Sequence, residues 1–253
     1  YSSPIDSLNA RFFTMIGTLV QGRVSLDGAA VAASKLGLNI AIKYATERRQ
    51  FNGASDTVEE VLMDYQQHQR RLLPLLATTY AASFAHDELL TKFDDVFSGA
   101  DDTDENRQDL ETLAAALKSL STWHALDTLQ ECREATGGAG FLAENRLTAL
   151  RSDLDIYVTF EGDNTVLLQL VAKRLLADYA KEFQGADFGV LARYVVGQAT
   201  ERTFHRTGLR QIVQTVADTG SEKKSAIALR DPRTQHDLLA DRVATMVAEV
   251  AGE

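Results

Sequence analysis

A chain of 253 residues, 45% hydrophobic and 25% charged, has the composition of a globular protein able to bury about three quarters of its unfolded surface. The net charge of −10 argues against nucleic acid or an anionic membrane as a partner, and no apolar run reaches the ~18 residues of a membrane span. The lone Cys132 excludes an intrachain disulfide, suits a reducing compartment, and reads as a small core residue because no activating neighbourhood accompanies it.

Three prolines and little β-branched alternation predict helix throughout. Residues 1–18 form a lead-in, with a break at Ser2-Ser3-Pro4 and a short apolar run through Phe12, Phe13, Met15 and Ile16. From Leu19 to Arg49, the spacing of Val24, Ala30, Val31, Leu38, Ile42 and Ala45 predicts one long helix, and Gly28, Ala29, Ala32, Ala33 and Gly37 offer another helix a close approach. A second helix is expected from Thr57 to Phe97, kinked or divided by Pro74. His68 and His86 lack ligand-spaced partners and read as structural or surface residues. Residues 98–106 (SGADDTDEN) read as a solvated connection whose spacing does not match a calcium loop.

The third predicted helix, Arg107 to Thr136, carries leucines 110, 113, 117, 120, 126 and 129 at three- and four-residue steps, with Trp123 among them as a core residue. Residues 141–160 read as an irregular return with Arg146 and Arg151, and a fourth helix follows from Asn164 to Phe183. After Gln184-Gly185-Ala186 the character shifts, with helical patterns at 187–219 and 234–251. The expected organisation is all-α, with one helical domain over 1–185 and the start of a second over 186–253.

The stretch from Glu131 to Leu168 organises the rest. Gly137, Gly138 and Gly140 permit positive φ and close backbone approach. Glu161 follows the apolar run Ile156-Tyr157-Val158-Thr159-Phe160, and burial against such walls raises a carboxylate pKa and poises it as a base. Asp163 and Asn164 suit the N-cap of the next helix, whose free N–H groups could hold an anion. On residue chemistry alone, a glycine turn followed by an Asp/Asn cap is equally ordinary helix punctuation, and small-residue helix faces equally suit a non-catalytic assembly module.

Three segments change the weighting. Cys132-Arg133-Glu134-Ala135-Thr136-Gly137-Gly138-Ala139-Gly140-Phe141 and Thr159-Phe160-Glu161-Gly162-Asp163-Asn164-Thr165-Val166 resemble the two signature segments of the acyl-CoA oxidases, and Tyr44-Ala45-Thr46-Glu47-Arg48-Arg49-Gln50-Phe51 resembles the family's Y-A-x-x-R-x-x-F pattern. They stand in the family's order, and the resemblance covers about residues 10 to 180. It implies an up-and-down helical bundle of the acyl-CoA dehydrogenase C-terminal type, and a chain that corresponds to the C-terminal portion of a longer flavoenzyme. It further implies FAD as cofactor, acyl-CoA and O2 as substrates, a homodimer or higher oligomer, and a peroxisomal location in a eukaryote or a cytoplasmic one in a bacterium.

Carried onto this sequence, the resemblance makes Glu161 the base that removes the α proton of the acyl thioester. Arg48, Gln50 and Phe51 would reach the flavin of a neighbouring subunit. Glu134 stands where dehydrogenases carry a flavin-touching glutamine, and Gly137, Gly138 and Asp163 complete the cofactor contacts. Arg23, 21 positions before Tyr44, matches an arginine facing the acyl-CoA site; a solvated helix charge is the other reading. Asn52-Gly53 departs from the family's glycine directly after the phenylalanine. A dehydrogenase that passes electrons to a flavoprotein carrier is the alternative within the enzyme class, although the loop at 98–106 and the extension past 187 favour the oxidase.

Overall fold

The computed structural model describes residues 3–53, 55–183 and 231–251. The chain forms two compact units, Tyr1–Val171 and Ala172–Glu253.

In the first unit, α1 (Leu8–Ile16), α2 (Leu19–Glu47), α3 (Gln66–Phe97) and α4 (Asp104–Ala135) precede a short α5 (Leu147–Leu154), and α6 begins at Asn164 and runs to Phe183. The lead-in therefore contains a helix, and the expected irregular return at 141–160 contains a two-turn helix between 3-10 turns. A ribbon of two short antiparallel strands, β1 (Arg49–Asn52) and β2 (Glu59–Val61), pairs Arg49 with Val61 and Asn52 with Glu59. The expected helix start at Thr57 is corrected by this ribbon: Glu59-Glu60-Val61 pairs with the chain leaving α2, and α3 begins only at Gln66.

The helices run up, down and up. Arg23 of α2 lies beside Glu111 of α4 at 3.9 Å, and a Cβ on Gly37 would meet Leu129 at 2.7 Å, so α2 and α4 are parallel. Asp27 bonds His86 at 2.7 Å and Lys35 bonds Ser83 at 2.6 Å, so α3 runs antiparallel to α2. His86 thus has the structural role its isolation in sequence suggests. Pro74 does not divide α3. The proline forfeits one backbone bond, but buried Leu72 and Leu89 hold the helix on either side of it.

The core lies between α2, α3 and α4. Ala30, Leu38, Leu72, Leu129 and Leu147 form one cluster, and Val20, Val24, Leu89, Val96 and Leu110 another. The buried face of α4 is mostly small: Ala114, Ala115, Ser119, Ser121, Thr122, Ala125 and Thr128. The Ser119 and Thr122 hydroxyls donate to the carbonyls of Ala115 and Lys118, both at 2.8 Å, which satisfies them inside the bundle. Trp123 and Leu120 lie on the surface, contrary to the reading of the leucine series as one core stripe. At about 100° per residue, position 123 is turned some 140° from Leu110. Cys132 is buried, as expected, and desolvation pushes its thiol up to about 12.

The connection after α3 is shorter than 98–106, because Thr103 caps α4 by accepting the Asn106 N–H at 3.1 Å. In the second unit, α7 spans Pro232–Ala251, with proline in the first helical position, where its missing N–H costs nothing. The pattern predicted at 187–219 falls outside the described residues. No described helix is long and apolar enough to cross a membrane.

Candidate active site

The turn that carries Glu161 is strained. After a 3-10 turn at Asp155–Val158, Glu161 takes φ +55° and Gly162 φ +109°. A left-handed conformation is costly for a non-glycine residue and persists only where its surroundings hold it. Asp163 then caps α6, its Oδ1 accepting from the N–H groups of Thr165 at 2.9 Å and Val166 at 3.4 Å. The carboxylate of Glu161 turns back against α2: a Cβ on Gly22 would stand 2.6 Å from Glu161 Oε2. That oxygen is buried and has no hydrogen-bond partner.

Two buried cations hold the backbone of this turn. Arg23 Nε of α2 donates to the Glu161 carbonyl at 3.1 Å. Lys118 Nζ of α4 donates to the next carbonyl, Gly162 O, at 2.7 Å and to Asn164 Oδ1 at 2.8 Å. Asn164 is in turn oriented by donating to Ser119 O at 3.2 Å and Thr122 Oγ1 at 3.0 Å. Asn164 therefore braces the turn, while Asp163 alone caps α6.

Arg23 is buried rather than a solvated helix charge. Desolvation pulls its guanidinium below its usual value, opposed by Glu111 and Glu161. Lys118 is fully buried, and its ammonium is pushed down to about 8, first by burial and then by the Arg23 charge, against the pull of Asp163 and Glu161. Sequence reasoning passed over Lys118. The available signal was its phase: it sits four residues after Ala114 and seven before Ala125, on the face of α4 that is buried.

The remaining predicted site residues gather at the other end of the bundle, where α2 and α4 both terminate. Residues 23 and 48 are 25 positions apart, or about 37 Å along a helix. Arg48 turns the chain out of α2, its N–H donating to Tyr44 O at 2.8 Å, and its side chain is exposed. Gln50 is half-buried and accepts the Tyr65 hydroxyl on its carbonyl at 2.7 Å. Phe51, at φ +62°, is 68% exposed.

Glu134 is held by Gln130 at 2.6 Å, Arg133 at 3.3 Å and Arg71 at 3.4 Å, and Arg71 also pairs with Glu131. Of the three glycines read as permitting positive φ and close backbone approach, Gly137 adopts positive φ, at +57°. Gly140 is required instead for close packing, since a Cβ there would collide with the Arg133 carbonyl, while Gly138 faces open space. Arg133 stacks over the Phe141 ring at 4.7 Å. Among the described residues no group of His, Cys, Asp and Glu could hold a metal ion.

The sequence model of the acyl-CoA oxidase C-alpha1 domain matches residues 16–176. A putative peroxisomal acyl-coenzyme A oxidase 3.2 of Arabidopsis thaliana is 44% identical over 179 residues, 71% of this chain and 26% of the relative. The peroxisomal acyl-coenzyme A oxidase 2 of the same plant is 39% identical over 251 residues, 99% of this chain and 34% of the relative. The crystal structure of acyl-CoA oxidase-1 of Caenorhabditis elegans, complexed with FAD and ATP, superposes with a TM-score of 0.59 at 29% identity, over 64% of this chain and 25% of that one. The chain spans about a quarter to a third of the length of these proteins. With a family match across most of its first compact unit and an all-helical bundle shared with solved acyl-CoA oxidases, the chain belongs to the acyl-CoA oxidase family.

Proposed function

We propose that this chain is the C-terminal helical portion of an FAD-dependent acyl-CoA oxidase, which converts an acyl-CoA to its 2-trans-enoyl-CoA in fatty acid β-oxidation, with O2 as the acceptor and hydrogen peroxide as the second product. The observation that carries the reading is the Glu161 turn: a strained carboxylate with a buried oxygen that no protein group satisfies. Such an oxygen is free to take a proton from a bound substrate. Glu161 removes the α proton of the thioester, and Gly22 leaves room for the carboxylate beside α2.

The residues present fit the flavin. Arg48 and Phe51 project into solvent at the end of α2, and Gly138 has open space where a side chain would stand. Arg48 would pair with the pyrophosphate, Phe51 would pack near the adenosine portion, and Gln50, Glu134, Gly137 and Gly138 would complete the contacts at that corner, while Asp163, two residues from Glu161, would touch the flavin that Glu161 serves. When bound, FAD supplies the hydride acceptor for the β carbon and the route of electrons to O2. The separation of about 37 Å between Arg23, beside Glu161, and Arg48 exceeds the reach of a single dinucleotide. Each chain would therefore serve two flavins, its own through Glu161 and a neighbour's through the Arg48 and Gly137 corner, which requires a homodimer or larger assembly. Arg23 would face the acyl-CoA beside the base. In a eukaryote the location would be peroxisomal, as in the named Arabidopsis relatives.

Residues 186–253 would begin a second helical domain. The deciding experiment is Glu161→Gln in the full-length enzyme: FAD stays bound, and acyl-CoA no longer bleaches it. Bleaching at the wild-type rate would overturn the assignment of the base. Peroxide formed in proportion to substrate under air separates the oxidase from a dehydrogenase.

A further inference from the structure

We propose that Lys118 is a positioning residue for Glu161: with Arg23, it clamps the two consecutive carbonyls of the Glu161–Gly162 turn and so fixes where the carboxylate stands. This rests on the reading of Glu161 as the base.

The geometry is specific. Adjacent carbonyls of one turn are each held by a cation from a different helix, Glu161 O by Arg23 of α2 at 3.1 Å and Gly162 O by Lys118 of α4 at 2.7 Å. The turn so held is one that would relax if released, since Glu161, a residue with a side chain, lies at φ +55°. Lys118 makes poor sense as a device for stability alone. A fully buried ammonium is costly, and its acceptors are a neutral carbonyl and a neutral amide. No ion pair within 4.0 Å compensates it among the described residues. An aliphatic residue of similar volume would pack the same space without the desolvation cost. What an aliphatic residue would lose is the direction of two N–H bonds, one of them to Asn164, which is itself held by Ser119 O and Thr122 Oγ1 of the same helix as Lys118.

The charges facing the ammonium are Arg23 from α2, and Glu161 and Asp163 from the turn itself; Glu111 stands behind Arg23. Removing Lys118 therefore frees the Gly162 carbonyl and leaves Arg23 as the turn's single cationic anchor.

The test is Lys118→Met in the full-length holoenzyme, with Glu161→Gln beside it. The expected result is a flavin-reduction rate by acyl-CoA lower by about 10²-fold, the loss that a misplacement of about 1 Å can cause. FAD content and the acyl-CoA dissociation constant stay within about twofold, so the defect falls on the rate and not on binding. In the chain without substrate, amide hydrogen exchange over 160–166 rises by about tenfold or more, while peptides of α2 and α3 away from the turn keep their protection. Lys118→Gln, which retains an N–H donor, recovers part of both readouts. A wild-type reduction rate in Lys118→Met, or unchanged exchange over 160–166, overturns the proposal. If neither Lys118→Met nor Lys118→Gln folds, Lys118 is a packing residue and the proposal is overturned as well. If Glu161→Gln still bleaches the flavin, the reading of the base fails, whatever Lys118 does.

Discussion

Gly22 and Glu161 meet 139 positions apart in the chain, with the carboxylate occupying the space that a side chain at 22 would take: a Cβ there would stand 2.6 Å from Oε2 and 2.7 Å from Cδ. Alanine at 22 must therefore move the carboxylate. Within a helix, glycine to alanine is otherwise favourable by about 1 kcal/mol. Gly22→Ala is expected to fold with near-normal stability and to lose activity, by about 10²-fold in flavin reduction. Stopped-flow reduction together with a thermal melt checks it; a variant that melts early and keeps its rate would show that the contact matters only for packing.

Arg48 is expected to matter for the cofactor and not for the fold. Its side chain is exposed at the end of α2, and surface substitutions away from special features usually change stability by less than about 0.5 kcal/mol. Arg48→Ala should leave the melting temperature in place and, if its guanidinium fork holds the pyrophosphate as proposed, lower FAD retention during gel filtration. Full retention of flavin by the variant would remove Arg48 from the cofactor site.

How much of this was legible in sequence depends on which force fixed each feature. Helix boundaries at Leu19 and Asn164 followed from periodicity and capping, and the Glu161 turn from its glycine and acidic cap. The β1–β2 ribbon was hidden because Glu59 to Val61 carries no more strand character than helix character, and only pairing with the chain leaving α2 decides it. The leucine series on α4 misdirected the reading of Trp123. That helix buries mainly alanine, serine and threonine beside Leu110 and Leu129, so its core face is small rather than leucine-rich, and its surface keeps Leu120 and Trp123. Lys118 was missed for the same reason: a lysine reads as solvated until the phase of its helix face is known.

At one point of contact between α2 and α4 a small residue makes room for a large one. A Cβ on Gly37 would lie 2.7 Å from Leu129 Cδ2, and Leu129 is completely buried. Leu129→Ala should cost about 2–5 kcal/mol through lost burial and the cavity left behind. Gly37→Ala should also destabilise, because the added methyl meets a side chain locked in the core. Urea titrations of the two variants check this, and a double variant less destabilised than the sum of the singles would show that the two residues share one space.

Cys132 should be chemically silent. The thiol is buried and pushed up to about 12 by desolvation and then by Glu131, and the thiolate is the reactive form. Iodoacetamide at about pH 8 is expected to leave the native chain unmodified and to alkylate it fully in denaturant. Rapid modification of the native chain would place Cys132 outside the core.

Lys118 gives a pH dependence whose sign can be worked out. Its ordinary value is 10.5, and the folded chain holds it at about 8. Between these values the unfolded chain keeps a proton that the folded chain has released, so the unfolded state binds more protons and stability rises with pH. Below about 8 both states are protonated and the cost of burying the ammonium is carried in full; above 10.5 both are neutral. Cys132 acts in the opposite direction at higher pH, because its folded value near 12 lies above its ordinary 9.0, so the folded chain binds more protons and stability falls from about pH 9 upward. The two are separated by subtraction. Unfolding free energies of the wild type and Lys118→Met, measured by denaturant at about pH 7 and about pH 9.5, share the Cys132 contribution and differ in that of Lys118. The wild type is expected to gain on the variant as pH rises through about 8. A gap that stays constant over this range would mean that the ammonium loses no proton on folding, and that the clamp on Gly162 remains fully charged.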